Sequence, residues 1–189
     1  ARAWLDRGRA YDVVRTLVGS LAAGVDRVFL GHAVEGGRED RRPLAVFVEP
    51  DAEGGWWRRP AWYALRQALD VFGRPQQVAR LTTGGDGTAY KVTCEAERRP
   101  SWFAVVVPDP EKSWAGDLRE PPEPVDVALR LDPGRYRVEQ VALGPEGPDS
   151  ALREAPDGVL RLRLGPGPVY VIPLAAPTSE EEGGADRPR

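Results

Sequence analysis

His32 is the sole histidine of the chain, and Glu35 follows it three residues later in a glycine-rich stretch. A histidine near a carboxylate can donate to a ligand hydroxyl or carboxylate; equally, local loop hydrogen bonds can hold both. Trp56 and Trp57 follow Gly54-Gly55 and precede Pro60. Indole faces stack on the apolar faces of pyranose rings, and the alternative is packing against the helix that Pro60 opens. Glu49 and Glu53 are carboxylates of the kind acid–base catalysis employs. Pro50 and Asp51 follow Glu49 at once, however, and no second strand completes a catalytic pair. Trp114 lies in a proline-rich connection and reads as a plug between domains. Cys94 is the only cysteine, which excludes an internal disulfide and a multi-thiolate metal site; it reads as a small buried hydrophobe. There is no phosphate-binding loop, no G-x-G-x-x-G and no H-E-x-x-H. No cofactor and no metal are expected. By residue type the candidates for ligand binding are His32, Glu35, Trp56 and Trp57, and no catalytic residue is assigned.

Composition narrows the partners. Of 189 residues, 41% are hydrophobic and 29% charged, and the formal net charge is −3 with acids and bases interleaved. That is an ordinary globular balance, without the concentrated basic face that nucleic-acid binding requires. No apolar run reaches the ~18 residues of a membrane span. All bases except Lys91 and Lys112 are arginine, and there are 21 Gly, 19 Pro and no Met, the bias of a GC-rich genome. The chain opens without Met inside a segment read as helix, so the compartment stays open and a preceding part of the protein is expected.

Two helices and a set of strands must position these residues. Residues 3–23 place Ala10, Tyr11, Val14, Leu17, Val18 and Leu21 at helical spacing, and Gly24 stops the helix. Residues 25–30, VDRVFL, predict a short strand of the kind buried in a parallel sheet. Residues 31–59 read as a long, functional loop. Pro60 opens a second helix at its favoured first position, with a stripe of Trp62, Leu65, Leu69 and Phe72, and Gly73 with Pro75 ends it. Strands follow at 78–83, 88–94, 102–107, 125–131, 135–143, 159–164 and 168–174, punctuated by Gly84-Gly85-Asp86-Gly87, Asp132-Pro133-Gly134 and Pro156-Asp157-Gly158. Such spacing predicts an antiparallel β-sandwich. Residues 177–189, with Glu180-Glu181-Glu182, read as a disordered tail.

The ordered set "AAGVDRVFLGH", "RRPAWYALRQALDVFG" and "LRLRLGPGPVYVIPL" resembles the C-terminal region of retaining glycosidases with a (β/α)8 barrel followed by a β-sandwich. The resemblance spans about residues 3–174 and rests on the order of motifs that are individually weak. It implies that residues 3–23 are barrel helix 7, residues 25–30 strand 8 and residues 61–72 helix 8. The expected fold class is thus α/β plus all-β: part of a barrel over 1–75, a sandwich over 76–176 and the tail over 177–189. Retaining hydrolysis takes two carboxyl groups ~5 Å apart. In the family these end barrel strands 4 and 7, which would precede Ala1, and no Asn-Glu acid/base motif occurs here. The resemblance therefore implies a glycan partner met through the full-length barrel and a missing N-terminal barrel half. It implies neither a nucleic-acid nor a membrane partner, and no activity of this chain alone. The alternative is a non-catalytic glycan-binding or structural barrel/β-sandwich protein.

Overall fold

The computed structural model describes residues 2–28, 47–50, 53–73, 75–83, 87–94, 101–106 and 124–174. Helix α1 (Arg2–Ala22) runs as the apolar spacing predicts and buries Ala10, Val13, Val14 and Val18. Its end is fixed by Gly24 at φ +82°, with Gly24 N–H donating to Leu21 O and Val25 N–H to Ser20 O. That is the Schellman closure, in which a residue at positive φ lets the orphan carbonyls of the last turn find donors. A short ribbon follows, β1 (Val48–Pro50) antiparallel to β2 (Trp56–Arg58). Helix α2 (Pro60–Phe72) begins on its proline and ends where Gly73 N–H donates to Leu69 O.

The remaining strands are β3 (Pro75–Thr82), β4 (Gly87–Cys94), β5 (Ser101–Val106), β6 (Val125–Arg130), β7 (Gly134–Gln140), β8 (Ser150–Ala155), β9 (Val159–Leu164) and β10 (Val169–Pro173). Six of them form one sheet in the order β3-β4-β5-β10-β7-β8, and β6 pairs with β9 in a separate two-stranded sheet. Every strand pairing among the described residues is antiparallel.

The six-stranded sheet is a middle layer. Strand alternation sends Val78, Tyr90, Val92, Tyr170 and Ile172 to one face, where they meet both helices. It sends Ala89, Trp102, Tyr136, Val138 and Val171 to the other, against Val127, Leu129, Leu160 and Leu164 of the β6–β9 sheet. Two aromatic pairs mark the two cores: Phe72 and Tyr170 with centroids 5.4 Å apart, and Trp102 edge-on to Tyr136 at 5.9 Å. Arg15 of α1 donates to Pro166 O (2.8 Å), tying that helix to the β9–β10 turn. Buried Arg59 meets buried Asp6 at 3.6 Å, so the start of α2 is pinned to the start of α1.

The chain is thus mixed α and β with antiparallel sheets, mostly strand. The strand expected at 25–30 is corrected: residues 25–28 are not in a strand, and the rest lie outside the described residues. Val25 is instead engaged by the helix closure, and no parallel neighbour is at hand among the described residues to pair with it. The stripe of α2 is corrected too. Its buried face is Ala61, Ala64, Gln67, Ala68 and Phe72, while Trp62 and Leu69 are 37% and 54% exposed. Alanine on the inner face lets α1 approach closely, which turns the large residues outward. Strand β8 and the β1–β2 ribbon are additions to the expected set. Residues 31–46, the Cys94 side chain, Trp114 and the tail at 177–189 lie outside the described residues. Among the described residues no helix is long and apolar enough to cross a membrane.

Candidate functional site: a tryptophan surface beside an arginine-lined cavity

The β1–β2 ribbon is held at its base. Phe47 is buried, and its carbonyl accepts from Arg59 N–H at 2.8 Å. Beyond that anchor the register is Val48 opposite Arg58, Glu49 opposite Trp57 and Pro50 opposite Trp56. Neighbouring side chains on a strand leave by opposite faces. Trp56 and Trp57 are nonetheless both exposed, at 62% and 46%, and among the described residues no third strand pairs with the ribbon. One turn into α2, Trp62 carries the Arg58 guanidinium 5.2 Å from its ring centroid, a cation–π contact. Three exposed indoles thus cluster in a stretch of seven residues, 56–62.

Beside the Arg58–Trp62 contact, a cavity of about 550 Å3 opens between α2, β7 and the loop at 141–149. Gln67 makes its floor. Its Nε2 donates to Glu139 Oε2 (2.9 Å) and Gln140 O (3.0 Å), and its Oε1 accepts from Ala142 N–H (2.7 Å). Glu139, only 7% exposed, also meets Arg137 Nε at 2.6 Å, so both carboxylate oxygens are engaged. Arg58 and Arg66 complete a set of three guanidiniums around the opening. A smaller cavity of about 330 Å3 lies at the far edge of the sheet, where Arg153, Arg161 and Arg163 rim a floor of Val138, Leu162 and Leu164.

Of the four sequence-predicted site residues, the structure places Trp56 and Trp57 together on the ribbon; His32 and Glu35 lie outside the described residues. Glu49 falls on β1, and Glu53 in the exposed turn before β2. Trp62, Arg58, Arg66, Arg137 and Glu139 were not singled out by the sequence. Trp62 was assigned to the buried stripe, and the signal against that reading was the spacing of Ala61, Ala64 and Ala68, a second and narrower helical face. Nothing in the sequence joins Gln67 to Glu139, which is 72 residues away. Among the described residues no group of His, Cys, Asp and Glu is arranged to hold a metal ion.

The arrangement puts exposed indoles and the guanidiniums of Arg58 and Arg66 on one part of the surface, over a floor whose Gln67 amide is already hydrogen-bonded. No family model and no curated protein matches the sequence.

Proposed function

We propose that this chain is the C-terminal portion of a carbohydrate-active glycoside hydrolase, lacking the catalytic carboxylates and inactive alone. In this reading residues 1–75 are the end of a (β/α)8 barrel and 76–176 its attached β-sandwich. His32, Glu35, Trp56 and Trp57 belong to the rim of the glycan cleft, and the missing barrel half supplies the two acids. The observation that carries the reading is the exposure of Trp56, Trp57 and Trp62 within seven residues, since indoles presented to solvent suit the apolar faces of sugar rings. The exposure of Leu69 and Val25 also fits, because the remainder of a barrel would give those residues a covering. A non-catalytic glycan-binding protein would employ the same tryptophans.

The test is a titration of intrinsic tryptophan fluorescence with neutral and acidic oligosaccharides, alongside an aryl-glycoside panel. Saturable fluorescence change without turnover is expected, weakened about tenfold or more by Trp56→Ala or Trp57→Ala, the loss of a stacking contact worth ~1–2 kcal/mol. An absence of binding to every oligosaccharide overturns the reading. Turnover that vanishes in Glu49→Gln or Glu53→Gln overturns the placement of the acids.

A further inference from the structure

We infer that the cavity between α2 and β7 is a subsite for an anionic saccharide unit, a uronate or a sulfate ester, so that the glycan of this protein is acidic. The inference rests on the glycan reading above and adds to it the charge of the substrate.

The size is right: about 550 Å3 falls inside the ~300–1,000 Å3 of small-molecule sites. The charge is specific. Three guanidiniums line the opening against two carboxylates, Asp70 and Glu139. Glu139 is fully engaged within the protein, held by Arg137 on one oxygen and Gln67 on the other. Asp70 meets Arg66 only at 3.8 Å, in a pair open to water and therefore weak. Arg58 pairs with the Trp62 ring rather than with an acid in the geometry described. The excess is one positive charge, carried on side chains that each offer five donors in a planar fork. That fork matches a carboxylate or sulfate face with two parallel hydrogen bonds, which neutral hydroxyls cannot equal.

Two further features make this a site rather than a charged hollow. Its floor is preorganised, because three hydrogen bonds fix the Gln67 amide and thereby the Glu139 carboxylate and the Ala142 backbone. It also adjoins Trp62 through Arg58, whose guanidinium sits over that ring while lining the cavity. A sugar unit held against Trp62 can therefore set the anionic group of a neighbouring unit between Arg58 and Arg66.

The experiment is calorimetric titration of the full chain with oligogalacturonides, carrageenan oligosaccharides and cello-oligosaccharides, at low and at high salt. We expect one of the two acidic series to bind at least about tenfold more tightly than the neutral one, with the advantage shrinking as salt screens the charges. Oligogalacturonide preference assigns a uronate and carrageenan preference a sulfate ester. Arg66→Gln, at an exposed side chain whose loss leaves the thermal midpoint unchanged, should lower the acidic affinity about tenfold and remove the preference. Arg58→Gln should do the same. Equal binding of neutral and acidic oligosaccharides, or an acidic preference indifferent to both arginine substitutions, overturns this inference alone. Failure of all three series to bind overturns it together with the glycan reading.

Discussion

Gln67 uses both ends of its amide to hold helix and sheet together, and it does so on the one polar position of a buried helix face otherwise made of Ala61, Ala64, Ala68 and Phe72. Gln67→Leu would keep the volume and strand three groups: a carboxylate oxygen of Glu139, the Gln140 carbonyl and the Ala142 N–H. A loss of about 2–4 kcal/mol is expected, read as a fall in thermal midpoint of roughly 5–10 °C by calorimetry. A change below about 1 °C would mean that water replaces the amide. Tyr170 makes a second residue-scale statement. Burial, with the negative charge of Glu139 behind it, pushes its phenol well above the ordinary value of about 10. The folded state therefore keeps a proton that the unfolded chain gives up. The stability contribution is complete below pH ~10 and is lost as pH rises from there toward the folded value, at about 1.4 kcal/mol per pH unit. Denaturant melts from pH 9 to 11 should show that decline, and Tyr170→Phe should flatten it. An unchanged slope in the variant would assign the alkaline loss to other groups.

Among the elements, two turns with similar backbone angles should respond differently to one substitution. Gly24 and Gly158 both have positive φ, +82° and +71°. A methyl at Gly24 meets nothing within 4 Å, whereas at Gly158 it would lie 2.8 Å from the Leu131 carbonyl oxygen. Gly24→Ala should cost about 1 kcal/mol, the left-handed penalty alone. Gly158→Ala should cost at least ~1 kcal/mol more, since Leu131 N–H donates to Gly158 O and the turn cannot move aside without breaking that bond. Urea midpoints of the two variants decide it, and equal losses would refute the distinction. These turns and both helices were legible in the sequence, because periodicity and glycine placement are local. Strand β8 was not. Its inward residues, Ala151 and Ala155, are small and its Leu152 points outward on an edge, so the alternation that reveals a half-buried strand is inverted. The α2 stripe was misread for the related reason that volume was taken for burial. For the candidate site, the tryptophans were visible as types in a loop-like stretch, but the arginine cavity was not, because its walls come from α2, β7 and a distant loop.

For the molecule as a whole, alternation along a strand tells which side chains share a face but not which strand lies alongside. That antiparallel strands dominate after residue 75 could be read; the order β3-β4-β5-β10-β7-β8 could not. Nor could the position of the helices, which cover one face of the six-stranded sheet. One core cluster takes Val14, Ala64 and Phe72 from before residue 75 and Val92, Val141 and Tyr170 from after it. Helices and sheet should therefore melt in a single transition, and limited proteolysis should spare residues 72–77. Separate calorimetric transitions, or early cutting at that junction, would show that the shared core does not couple them.

Strand β10 lies between β5 and β7, although it is the last of the ten to leave the ribosome. Until it emerges, β3-β4-β5 and β7-β8 are two partial sheets, each with an open edge awaiting the same strand. Synthesis and folding are thereby put out of step: the helices, the β3-β4-β5 meander and the β7-β8 hairpin can form early, but the layer that joins them waits for residues 169–173. During that wait the unpaired edges are available to any extended segment nearby. Nascent chains of this protein should consequently depend on chaperone cover until translation has passed Pro173.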